Sequence, residues 1–134
     1  WRPDRLRREF TDMVIRYAAA LLTLSGTIAL ILGLLFWFGM AQSLISMHML
    51  LGLLAVGSLW VIGVGQWFGS AGSWLIAAAA LLVGVLTAAL GLYQASIMVG
   101  AAHWVVQVVH LLFGLLTIGI GHIGAARYRK NLAS

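Results

Sequence analysis

The sequence has no cysteine, which removes thiolate zinc sites, iron–sulfur clusters and disulfides from consideration. It also has no Asp, Glu, Lys or Arg between Tyr17 and Ala126. That second absence counts against ion- or proton-coupled transport, which needs an ionisable side chain to couple to. It counts equally against hydrolysis, because no carboxylate or thiol lies inside and the Ser residues of the stretch have no evident triad partner.

What is present is apolar. Of 134 residues, 63% are hydrophobic and only 8% charged, a surface that a water-soluble domain of this size could not solvate. The charges gather at the ends: Arg2, Asp4, Arg5, Arg7, Arg8, Glu9, Asp12 and Arg16 at the start, Arg127, Arg129 and Lys130 at the finish. The basic residues therefore flank apolar spans as membrane anchors do, and the net charge of +5 does not point to nucleic acid. The segment from Trp1 to Asp12 is too charged for the apolar region of a signal peptide and reads as a cytoplasmic surface segment.

A membrane span needs about 20 apolar residues. The uncharged stretch holds four: Val14 to Phe38, Leu44 to Trp67, Trp74 to Ser96, and Ala101 to Ala126. Gly39-Met40-Ala41-Gln42-Ser43 punctuates the first boundary. Phe68-Gly69-Ser70-Ala71-Gly72-Ser73 makes a turn in which Ser73 can cap the next helix. The expectation is an all-α, polytopic four-helix membrane bundle, with a basic segment 1–13, a two-helix repeat 14–68, an inner turn 69–73, a second repeat 74–126 and a basic tail 127–134. An even number of spans puts both basic termini on one side, the cytoplasmic side of a cell membrane by the positive-inside rule. Trp37 and Trp104 fall near the outer boundary, Trp67 and Trp74 near the inner one, as an aromatic belt does.

The repeat is visible in the even spans, where His48-Met49-Leu50-Leu51-Gly52-Leu53-Leu54-Ala55-Val56-Gly57 matches His110-Leu111-Leu112-Phe113-Gly114-Leu115-Leu116-Thr117-Ile118-Gly119. The odd spans agree through Gly26-x6-Gly33-Leu34 and Gly84-x6-Gly91-Leu92. Two helices per unit give both repeats one orientation, related by a pseudo-two-fold axis along the membrane normal. His48 and His110 then share a depth in the outer half of the bilayer.

With neighbouring helix axes about 8–10 Å apart, the second and fourth spans lie diagonally at a distance on the order of 13 Å. That is too wide for two imidazoles to touch but suits rings on opposite faces of one iron, as in a bis-histidine haem b. Gly52 and Gly114 stand one turn after each His on the same face, where a side chain would collide with a flat macrocycle. Gly33 and Gly91 add small inward residues, although close helix packing alone also explains such glycines. His103, seven residues before His110 and about 10 Å nearer the outer surface, is a candidate partner for a haem propionate or an ordinary interfacial residue. His122 has Trp60 as its counterpart, so one chain offers one complete bis-histidine site.

A four-helix membrane bundle with one His on each of two parallel helices and Gly on inward faces resembles the membrane b-type cytochromes. The resemblance covers residues 14–126 and rests on pattern. It implies a haem carrying electrons between a quinone pool and another redox partner, with His48 and His110 as axial ligands to the iron. Many such cytochromes have two stacked pairs of ligands, whereas this chain offers one, so the resemblance does not imply complete transmembrane electron transfer within this one chain.

Other readings stay open. Two matched histidines can each ligate the magnesium of a bacteriochlorophyll. Met40, Met47, Met49, Met98 and His103 offer thioether and imidazole to Cu(I), although Met47 and Met49 flank His48 and point to other sides of the helix. A cofactor-free accessory subunit packed against other subunits of a larger membrane complex is the alternative of a different class. The chain reads more as a non-catalytic electron carrier or accessory subunit than as an enzyme.

Overall fold

The structure, a computed structural model, describes residues 3–134; Trp1 and Arg2 of the basic N-terminal segment lie outside the described residues. It is all-α: α1 spans Pro3–Trp37, α2 Ile45–Phe68, α3 Trp74–Tyr93 and α4 His103–Ala133, with single 3-10 turns before α2 and after α3. All four helices are long and apolar enough to cross a membrane. Their exposed faces carry large apolar residues such as Leu24, Ile31, Leu53, Leu82 and Leu115, as lipid-facing helices do.

The expected span limits mark where the chain turns apolar, not where it becomes helical. α1 is helical from the first described residue, Pro3. It continues through the charged segment, where Arg5 pairs with Glu9 at 3.1 Å and Arg16 with Asp12 at 2.7 Å, each across one turn. α4 likewise runs on through the basic tail.

At the far end, α1 closes with Gly39 at φ 73. The Gly39 N–H reaches the Phe36 carbonyl at 2.9 Å and the Met40 N–H the Leu35 carbonyl at 2.9 Å, a Schellman stop that requires the left-handed glycine. In the turn between α2 and α3, Ser73 occupies the N-cap position but makes no side-chain cap bond, contrary to expectation. Its own N–H is instead taken by Oε1 of Gln66 at 3.0 Å. Arg7 donates to the Phe68 carbonyl at 3.4 Å and Asn131 to the Ala71 carbonyl at 3.2 Å, so both termini meet this turn at one end of the bundle.

Each helix packs on its chain neighbours and α4 closes back on α1, but the ring is not square. α2 and α4 touch directly across the diagonal. Glycines of α4 let its neighbours close in: a β-carbon at Gly124 would stand 3.3 Å from Ile62 of α2 and 3.1 Å from Ile76 of α3, and one at Gly121 would overlap Leu22 of α1. Gln66 seals the contact by donating to the Gly124 carbonyl at 2.7 Å. Trp37 and Trp104 sit at helix ends remote from the termini, Trp67 and Trp74 at the terminal end, all exposed.

Candidate functional site

The short diagonal brings together the two histidines of the repeat. His48, in the first turn of α2, and His110, two turns into α4, have ring centroids 6.2 Å apart and ring planes 74° apart. Among the described residues the two imidazoles are neither stacked nor hydrogen-bonded to each other, and they face one another across the α2–α4 contact. The odd helices back them symmetrically. A β-carbon at Gly33 of α1 would lie 3.3 Å from Cε1 of His48, and one at Gly91 of α3 would lie 3.2 Å from Cε1 of His110.

The surroundings of the two rings differ. Nδ1 of His48 donates to the Ala29 carbonyl at 2.8 Å, and Phe36 packs edge-on against the ring with centroids 5.3 Å apart. Nδ1 of His110 is buried and has no hydrogen-bond partner among the described residues. The positions equivalent to Ala29 and Phe36 in the second repeat are Thr87 and Gln94.

A cavity of about 160 Å³ opens beside the pair, lined chiefly by one face of α1 and one of α4. It runs from Gly26 to Trp37 on α1 and from Gln107 to Ile118 on α4, roughly 16 Å of helix. A second cavity of about 40 Å³ lies on the other side of the rings, between α2 and α3, and shares His48, Gly52, Thr87 and His110 with the first. Both histidines thus line both voids.

Gly52 and Gly114 line the larger cavity, and a β-carbon at either would meet nothing within 4 Å. Small residues at these positions leave space rather than close a helix contact. Gly26 and Gly84 behave otherwise: a β-carbon at Gly26 would press on Ile118 at 3.0 Å, and one at Gly84 would overlap the Trp60 indole. His103 is not brought to the pair; its Nδ1 donates to the Ile97 carbonyl at 3.3 Å within its own connection, and it lines neither cavity. His122, nearer the terminal end, shares a 2.9 Å hydrogen bond with the Thr23 hydroxyl. Of the methionines considered for copper, Met49 alone lines either cavity.

Sequence reasoning missed Phe36, Thr87, Gln94, Gln107 and Thr117, all cavity residues. A signal was available: Thr87, Thr117, Gln94 and Gln107 are polar where the first repeat has Ala29, Ala55, Phe36 and Ile45. Thr87 and Thr117 bond to each other at 2.9 Å, and Thr87 also reaches the Val83 carbonyl at 2.7 Å, so both hydroxyls are engaged.

No group of three or more His, Cys, Asp or Glu able to hold a metal ion occurs among the described residues. No family model matches the chain, and no curated protein or solved structure is similar to it.

Proposed function

We propose that the chain holds one haem b between α2 and α4, with His48 and His110 as axial ligands, and serves electron transfer as a small subunit or partner of a larger membrane complex. The observation that carries this reading is the 6.2 Å between the two ring centroids. Two imidazole nitrogens bound at ~2 Å on opposite sides of one ion put their ring centroids roughly 6 Å apart. With only two imidazoles offered, such an ion takes its remaining coordination from a non-protein group, and a macrocycle provides four ligands in one plane. Gly52 and Gly114 leave open space beside the pair, where a β-carbon would meet nothing within 4 Å. The bond from His48 to the Ala29 carbonyl is the outer-shell contact that orients a ligating imidazole.

When bound, the haem supplies one-electron redox chemistry, and the protein supplies ligation, orientation and exclusion of water. Two bacteriochlorophylls fit less well, because each pigment needs its own ring and its own macrocycle face, whereas these rings share one gap. A cofactor-free accessory subunit needs neither two histidines facing one gap nor open space beside them at Gly52 and Gly114.

The test is a reduced-minus-oxidised spectrum of purified protein expressed with haem available. A Soret band and a sharp reduced α-band are expected, with the low-spin signal lost in both His48→Ala and His110→Ala. Folded wild-type protein without haem, or a low-spin signal surviving either substitution, overturns the proposal.

A further inference from the structure

The larger cavity is polarised along its length, and the polarity is unequal between its ends. Toward the terminal end it is walled by Gly26, Ala29, Ala55, Gly114 and Ile118, with the Thr87 and Thr117 hydroxyls already committed to each other and to backbone. At the opposite mouth stand Gln94, in the 3-10 turn after α3, and Gln107, one turn before His110 on the same face of α4. Both are half-buried. Gln42 and Gln66 donate their amides to backbone carbonyls, whereas neither Gln94 nor Gln107 makes such a bond among the described residues.

The glutamines also break the repeat, standing where the first has Phe36 and Ile45. Replacing two apolar residues by two unengaged amides at the mouth of a membrane cavity is unfavourable unless water or a ligand meets them.

We infer that Gln94 and Gln107 bind the carboxylate edge of the planar ligand, fixing it with its carboxylates at the end of the bundle remote from the termini and its apolar edge against Gly114 and Ile118. This rests on the bis-histidine reading and deepens it. Each glutamine amide brings two N–H donors, and a carboxylate offers only acceptors. No Lys or Arg occurs between Tyr17 and Ala126, and His103 at this end is turned onto the Ile97 carbonyl, so at this mouth the amides are the donors available to an acid. The ligand class is therefore a flat macrocycle with acidic groups on one edge, and the glutamines are positioning residues that discriminate acid from ester.

The experiment titrates the full-length apo-protein in detergent with haem b and, separately, with its dimethyl ester, following the Soret band. Wild type is expected to bind the free acid about tenfold or more tightly than the ester, as loss of hydrogen bonds to a charged group implies. Gln94→Leu with Gln107→Leu is expected to abolish that preference, while the bound fraction keeps the spectrum of two axial imidazoles. Gln42→Leu, outside the cavity, is the control and keeps the preference. A double variant that discriminates as wild type does, or a wild type indifferent to esterification, overturns the inference and leaves the bis-histidine reading standing. Failure of folded wild type to bind either compound overturns both.

Discussion

His48 donates its Nδ1–H to the backbone carbonyl of Ala29 at 2.8 Å. A carbonyl can only accept, so this bond fixes the tautomer and leaves the lone pair on Nε2, the atom free to bind a metal. His110 has no such tether: its Nδ1 is buried without a partner among the described residues. The two ligands of the proposed site are therefore unequally prepared.

The inequality gives the first prediction. Both alanine variants lose six-coordinate haem, but His110→Ala keeps the oriented ligand and His48→Ala keeps the untethered one. Outer-shell contacts to a ligating imidazole are worth ~10–100-fold in metal affinity. His110→Ala is thus expected to retain haem at least about tenfold more tightly than His48→Ala, and to recover a low-spin spectrum on adding free imidazole. Soret titrations of the two variants, with and without imidazole, measure this; equal affinities would count against the tether.

Gly52 and Gly114 separate a site made for a ligand from one made for helix packing. A β-carbon meets nothing within 4 Å at either position, so Gly52→Ala and Gly114→Ala should not weaken the apo-bundle and can raise its stability by about 0.5–1 kcal/mol through helix propensity. Gly52→Leu and Gly114→Leu should leave the fold intact while filling the cavity and cutting haem loading. Unfolding in detergent and haem content, measured on the same samples, check both halves. A leucine variant that unfolds would show these glycines to be packing residues.

The repeat, the four spans and the pairing of His48 with His110 were legible because hydropathy and a duplicated string carry them directly. The α2–α4 contact was not, because Gly124, which brings α4 within reach of Ile62, and Gly121, which admits Leu22 of α1, have the unlike first-repeat counterparts Ile62 and Leu59; a search for matched residues passes over them. The reach of α1 back to Pro3 escaped for another reason: charged residues end a span without ending a helix. Gln94 and Gln107 were invisible to a reading that looked for what the repeats share, since they are where the repeats differ. His103 was assigned by helical spacing alone, and the geometry of the α3–α4 connection turns it back onto Ile97.

Gly84 tests the packing that holds the pair in place. A β-carbon there would overlap the rigid Trp60 indole, joining α3 to α2. Gly84→Ala is expected to cost about 1–3 kcal/mol, the usual range for overpacking. Gly119→Ala, where a β-carbon meets nothing within 4 Å, should be neutral or slightly stabilising. Comparing the two by denaturant titration in one detergent removes any general effect of losing a helical glycine.

Tyr128 supplies a prediction at the terminal end, beyond the apolar spans. Its side chain is fully buried beside Ile15 and Ala125, and its hydroxyl has no hydrogen-bond partner among the described residues. The nearby Thr11 hydroxyl donates instead to the Arg7 carbonyl at 2.9 Å. Burial pushes the phenol above its ordinary value, with Asp12 adding to the rise and Thr11, Arg8 and Arg7 opposing it. A phenol whose folded pKa exceeds its unfolded value binds its proton more tightly in the folded state. Its contribution is then intact below the unfolded value of 10.0 and lost as pH climbs through the raised folded value. Wild type should therefore lose stability in that alkaline window, and Tyr128→Phe, which cannot ionise, should lose less. At neutral pH the same substitution removes a buried hydroxyl that bonds to nothing, so it is expected to be neutral or to stabilise by up to about 1 kcal/mol. Melting both proteins from pH 7 to 11 decides it, and parallel alkaline losses would show that another group carries the titration.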